Sequence, residues 1–369
     1  MIYWLSLFFI ELSLLYLYHK ARSKKGRVFA LWSIILGLVY FSGFRDGLGM
    51  DYWGYKDLCE REVYSFSALL LSEPVFRGIQ SFCYNTEFSA VLLFIVSAFL
   101  VCAPSLYVYS KYINFTISAF VFMFFTDIYL SSMNIVSQFS AAGVILFGYY
   151  FYMKGNNKKN ILIVLVSIFC GMLLHLSSVF MLLPLLFNRK KINVLLWFLL
   201  IVSSYIIPID LVLRIPVVEN LVVMLDYSDY FNYTSSGLNK LSVTNLYLHL
   251  LLLPFLLQIK RIINGEDAEK YIFLIKMYAM YLILNNLATG SLTITYRLAV
   301  FFVLFVPLLL TKLPLVINKS IACCLIVIPM LSLMLIRLSI GDRLTVPDRI
   351  LPIESIYDKY YKPYENPNE

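Results

Sequence analysis

Charge is scarce in this chain. Asp, Glu, Lys and Arg together make 14% of its residues against 60% hydrophobic, which excludes a soluble protein with a solvated polar surface. Histidine is rarer still, and no pair of histidines has zinc-type spacing, so a His-based metal site is not expected. The cysteines, Cys59, Cys83, Cys102, Cys170, Cys323 and Cys324, show no metal-ligand spacing either. No glycine-rich phosphate loop follows a strand and no acyl-transfer nucleophile elbow is present, which argues against soluble nucleotide chemistry. The net charge is +8, but the bases are scattered through short connections and form no single surface, so there is no nucleic-acid footprint. No metal and no cofactor is expected.

What fills the chain instead is a series of long apolar runs, with a mean hydropathy of +0.79. The pattern predicts an all-α polytopic integral membrane protein, one transmembrane domain over residues 1–369. About twelve spans are expected, at 2–18, 28–44, 88–109, 115–131, 135–153, 160–174, 177–187, 194–208, 246–260, 271–287, 298–310 and 316–336. The run at 177–187 is the shortest, where a straight α-helical crossing needs about twenty residues. The first run lacks a basic residue before it and a cleavage site after it, and reads as a retained helix. The basic stretch at 19–27 directs that end to the cytoplasm, which places both termini outside. Three outer segments follow: 45–87, 209–245 and the tail 337–369.

Each outer segment mixes aromatics with charge. The first holds the cluster from Arg45 to Tyr55 and an apolar stretch at 64–71 suited to a short interfacial helix; the others hold Tyr- and Asp-rich strings at 226–233 and 357–364. Tyr beside Asp suits sugar, since a ring packs on C–H groups while a carboxylate accepts from hydroxyls; an aromatic belt at the membrane boundary is the plainer reading of each Tyr. Cys59 and Cys83 share the first outer segment, where an oxidising compartment could join them; the sequence leaves open whether they are bonded. Glu11 and Asp127 sit within spans and motivate a different class, a transporter or flippase of lipid-linked glycans. No internal repeat supports that class. His249, deep in the ninth span, reads as structural.

The string Gly43-Phe44-Arg45-Asp46-Gly47-Leu48-Gly49-Met50-Asp51-Tyr52-Trp53-Gly54-Tyr55 resembles the first outer loop of the EpsG/Wzy family of polysaccharide and O-antigen polymerases. Glu73-Pro74-Val75-Phe76, His175-Leu176-Ser177-Ser178 and Tyr296-Arg297 resemble further family elements, in order. Residues 134–138 open the fifth span where the family commonly carries Arg-Gln; here Ser137 precedes Gln138, so one cationic contact is absent or supplied elsewhere.

The resemblance implies a GT-C-like glycosyltransferase in a bacterial inner membrane. It would join undecaprenyl-diphosphate-linked oligosaccharide repeat units at the periplasmic face, among membrane lipids and beside a chain-length regulator protein. Three chemical demands then select residues. Arg45 and Arg297 are the candidates for diphosphate, or else interfacial arginines on lipid headgroups. Asp51 and Glu73, with Asp46 third, are candidate bases; alternatively Asp51 orients Arg45 and Glu73 starts a helix before Pro74. His175 donates to diphosphate or carries a proton, unless it only bridges helices. Tyr52, Tyr55, Asn134 and Gln138 are candidate glycan contacts, the last two also serving to hold helices together. A membrane acyltransferase acting on a polysaccharide is the remaining alternative, disfavoured by short basic inner connections.

Overall fold

The computed structural model describes residues 2–45, 51–60, 73–84, 89–112, 114–125, 128–155, 157–187, 189–206, 215, 243–265, 267–288 and 294–340. Asp46, Asp127, the expected interfacial helix at 64–71 and the strings at 226–233 and 357–364 lie outside these residues. Among the described residues every element is helical.

The first helices are α1 (Ile2–Lys20) and α2 (Lys24–Gly43). Their connection is tight because Ser23 caps α2, its hydroxyl accepting from Gly26 N at 3.0 Å. Two short helices then fall within residues 45–87: α3 (Tyr52–Glu60) and α4 (Pro74–Tyr84). Pro74 opens α4 because its fixed φ suits a first helical position and its missing N–H costs nothing there. Next come α5 (Ser89–Tyr109), α6 (Phe115–Phe124), α7 (Tyr129–Ser132), α8 (Val136–Lys154) and α9 (Lys158–Leu174). A 3₁₀ segment, Leu176–Leu186, precedes α10 (Val194–Ile206). The chain closes with α11 (Val243–Leu257), α12 (Ile259–Ile263), α13 (Ala268–Ala288), α14 (Ile294–Val303), α15 (Val306–Leu310), α16 (Leu313–Val316) and α17 (Lys319–Ile340).

Two of these helices, Lys24–Gly43 and Ala90–Tyr109, are long and apolar enough by themselves to cross a bilayer. The pair Thr295–Val303 and Val306–Val316 meets the same test as one span bent by 44°. Shorter apolar helices accompany them at Phe115–Phe124, Leu176–Leu186, Val194–Ile206, Leu246–Leu257 and Lys319–Ser332, consistent with a membrane protein. The expected span at 115–131 is therefore not continuous: α6 stops at Phe124, and a new turn starts only at Tyr129. The span expected at 298–310 breaks between Val303 and Val306, where Pro307 opens the next helix without an N–H to continue the previous one.

The core is α8, apolar on all sides and packed between α5 and α9. Glycine makes this approach possible: a Cβ at Gly143 would collide with Leu100 O of α5, and one at Gly148 with Ser167 Oγ of α9. The 3₁₀ segment runs back along α8 from the His175 end to the Arg189 end. Tyr149 donates its hydroxyl proton to Met181 O, and Arg189 donates to Tyr152 O at 2.8 Å. A rise of about 2.0 Å per residue lets its eleven residues cover about 22 Å, further than an α-helix of equal length.

Side chains left unassigned by the sequence also find places. His249 bridges helices: Nδ1 meets Tyr205 Oη at 3.2 Å, and Nε2 meets Asn286 Nδ2 at 3.4 Å. Glu11 is 1% exposed, presses against Gly37 of α2, and has no hydrogen-bond partner for either carboxylate oxygen among the described residues. Cys59 and Cys83 are buried thiols, and no disulfide joins them.

Candidate active site

The C-terminus of α2, the starts of α3, α4, α8 and α14, and the corner between α9 and the 3₁₀ segment lie at one end of the bundle. The polar residues singled out in the sequence meet there. Arg45 follows the C-cap of α2 and is 2% exposed, its guanidinium 4.0 Å above the centroid of the Phe94 ring on α5. None of its three side-chain nitrogens has a hydrogen-bond partner among the described residues. Burial lowers its pKa to about 10, against the fields of Tyr55, Tyr129, Tyr52 and Asp51, so it stays cationic at neutral pH.

Asp51, just before α3, feels both arginines. Burial pushes its carboxyl pKa up, while Arg297 and then Arg45 pull it down. Arg297 stands half-buried in the first turns of α14, inside the helix and not ahead of it as the sequence implied. Beside it, Tyr296 Oη lies 3.1 Å from Ser131 Oγ of α7.

Tyr55 ties α3 to α8. Its hydroxyl accepts the backbone N–H of Val136, one of the first four amides of α8 that have no partner within the helix. Burial, then Asp51, raises its pKa above the ordinary tyrosine range. Tyr52 is 5% exposed, and its ring stacks on Phe94 at 5.3 Å, so it forms the wall under Arg45.

A second group assembles from Glu73, His175 and Ser137. Glu73 is paired through Oε1 with His175 Nδ1. Ser137 Oγ lies 3.3 Å from the same nitrogen. A carboxylate on Nδ1 fixes the ring's orientation and, in the neutral form, its tautomer, with the lone pair on Nε2. Glu73 also has φ 51°, left-handed backbone for a non-glycine residue ahead of a proline. Such a conformation costs on the order of 1–3 kcal/mol and persists where neighbouring structure enforces it, here the Pro74 helix start and the His175 contact. Gln138 is buried and donates through Nε2 to Ser177 Oγ at 3.5 Å, while Asn134 sits half-buried in the turn before α8.

The structure thus gathers Arg45, Asp51, Tyr55, Glu73, His175 and Arg297 at one end of the helices. Sequence reasoning missed Phe94, which is indistinguishable from the other aromatics of α5. It also missed the role of Ser137, which stands where an arginine was expected and instead meets His175.

A model of the EpsG family matches residues 27–352. The chain belongs to the EpsG family. This is a family of exopolysaccharide and O-antigen polymerases, so its members are membrane proteins of polysaccharide polymerisation. No curated protein and no solved structure matches the chain. The match spans every residue of the site, from Arg45 to Arg297.

Proposed function

We propose that this EpsG-family protein joins lipid-linked oligosaccharide repeat units by glycosyl transfer from an undecaprenyl-diphosphate donor, as an O-antigen or related polymerase. The observation that carries the reading is Arg45: a guanidinium buried to 2% whose nitrogens have no hydrogen-bond partner among the described residues. An arginine kept dry and unsatisfied is costly unless an anion completes it, and its planar fork matches phosphate oxygens. Arg297 supplies the second cation, and Asp51 sets the spacing of the two.

In the proposed step the acceptor hydroxyl oxygen attacks the anomeric carbon of the donor sugar. The bond from that carbon to the diphosphate oxygen breaks, and its electron pair leaves on the diphosphate, whose growing charge Arg45 and Arg297 neutralise. His175, oriented by Glu73, takes the hydroxyl proton through Nε2. Glu73 is then a positioning residue instead of the base itself. Asn134 is the glycan contact left half-buried at the edge of the site, while Tyr52 and Gln138 hold its walls. The sugar-diphosphate bond supplies the free energy, so nucleotide and metal are not needed.

The opposite end of the bundle carries Lys24, Lys154, Lys158, Arg189 and Lys270, which by the positive-inside pattern faces the cytoplasm. The site then opens to the periplasm of an inner membrane, with a GT-C-like arrangement of about twelve spans. A chain-length regulator would act on the same growing product. The test is to incubate the purified protein with its lipid-diphosphate repeat unit, without nucleotide, metal or ion gradient. A ladder of longer lipid-linked glycans is expected. Gradient-driven movement of that lipid in proteoliposomes, with no ladder, would favour a transporter built around Glu11.

A further inference from the structure

The basic end of the bundle holds a cavity of about 580 Å³ between α2, α5 and α8. That volume lies within the range of small-molecule sites, roughly 300–1,000 Å³. Leu31, Trp32 and Ile35 of α2, Leu100 of α5 and Phe147 of α8 form its walls. Its rim is different in kind: Lys24 and Arg27 from the start of α2 and Lys111 from just beyond α5, all exposed.

The rim cations come from two stretches of chain far apart in sequence, yet they converge on one opening. Arg27 is fixed there by donating through Nε to Ala21 O at 3.1 Å, and Lys111 lies with Nζ 4.7 Å above the Tyr107 ring. Among the described lining residues there is no Asp or Glu. The trough below these cations is apolar and aromatic.

We propose that this cavity binds an anionic glycerophospholipid, its phosphate on Lys24, Arg27 and Lys111 and an acyl chain along Trp32 and Phe147. An anionic head meets three cations without a competing carboxylate, whereas the ammonium of a zwitterionic lipid would be repelled by them. The site is separate from the proposed donor site. Arg27, in the first turn of α2, and Arg45, just beyond its end, are eighteen residues apart, which at about 1.5 Å per residue is roughly 27 Å. The bound lipid would pin α2, the helix that ends at Arg45, against α5 and α8 at its far end.

Native mass spectrometry of the full-length protein, titrated with phosphatidylglycerol or phosphatidylcholine of identical chains, tests this. Wild type should prefer phosphatidylglycerol by on the order of tenfold or more, as several surface cations near one phosphate imply. The triple variant Lys24→Gln, Arg27→Gln, Lys111→Gln should lose that preference, with Lys20, Arg22 and Lys25 still marking this end as basic. Lys111→Glu alone, at an exposed position that leaves the fold intact, should weaken phosphatidylglycerol severalfold and spare phosphatidylcholine. Equal binding of both lipids by wild type, or a preference that survives in the triple variant, would overturn the proposal. So would a stronger preference for undecaprenyl phosphate that the triple variant abolishes, since the cavity would then hold the glycan carrier.

Discussion

Arg45 and Arg189 are both buried arginines, at opposite ends of the same bundle, 2% and 6% exposed. Each lies against an aromatic face, Phe94 at 4.0 Å and Tyr152 at 4.6 Å. They differ in what their nitrogens touch. Arg189 donates to Tyr152 O at 2.8 Å and Met153 O at 3.4 Å, closing two of the last carbonyls of α8, where a cation also suits the negative end of the helix dipole. Arg45 has no such carbonyls among the described residues. Among the described residues, Arg189 thus has both terminal nitrogens on backbone carbonyls and only its Nε unpartnered, while Arg45 has a partner on none of the three; under the proposed function that unmet fork is where the diphosphate would sit.

The sharpest way to break that contrast is to remove each cation in turn. Arg45→Ala should reduce polymer formation by at least about 10²-fold, the scale of losing a preorganised charge partner, with the protein still folded in the membrane. Arg45→Lys should not restore it, because a point charge cannot replace a planar fork. Gel ladders with quantified membrane protein separate the two effects. Arg189→Gln should do the reverse. It leaves the α8 carbonyls short of donors and costs roughly 1–3 kcal/mol of stability, read as a lower thermal midpoint, with specific activity of the folded fraction near wild type.

The Glu73–His175 pair sharpens the comparison within the site. His175→Gln should lose about 10²–10⁴ in rate, the range for a general base. Glu73→Gln should lose less, about tenfold to a hundredfold, because it only loosens the orientation of the His175 ring. A loss in Glu73→Gln as large as that in His175→Gln, or larger, would return the base to Glu73 itself.

The smallest effect concerns Asp51. Burial raises its pKa in the folded state, so its contribution to stability is complete below the ordinary carboxylate value of about 4 and is lost as pH rises through the raised folded value. Compared with Asp51→Asn, wild type should therefore gain relative stability as pH falls from about 7 to about 4. Thermal midpoints of the two proteins at both pH values check this, and the opposite trend would mean that Arg297 and Arg45 outweigh burial.

Most of the candidate site was legible in the sequence because its polar residues stand out in apolar surroundings, although Arg45, Asp51, Glu73, His175 and Arg297 each also had a plainer reading as an interfacial, orienting, helix-starting or bridging residue. Phe94 and Tyr129 were not legible, since an aromatic under a guanidinium looks like any other aromatic in a span. Ser137 was visible only as a departure, and its meaning needed His175 beside it in space. The fold shows the same division. Pro74 marks a helix start in the sequence, but the expected span 298–310 ran through Pro307, and the stop at Phe124 has no proline. The 3₁₀ form of Leu176–Leu186 follows from the distance it must cover between His175 and Arg189, a constraint set by α8.

The most direct measurement is the affinity of undecaprenyl diphosphate, without glycan, for wild type, Arg45→Gln and Arg189→Gln, by titration in detergent micelles. Wild type should bind, Arg45→Gln should bind on the order of tenfold or more weakly, as loss of a charge-assisted contact implies, and folded Arg189→Gln should bind like wild type. Equal affinity in wild type and Arg45→Gln would contradict this and make Arg45 one more buried arginine of the scaffold.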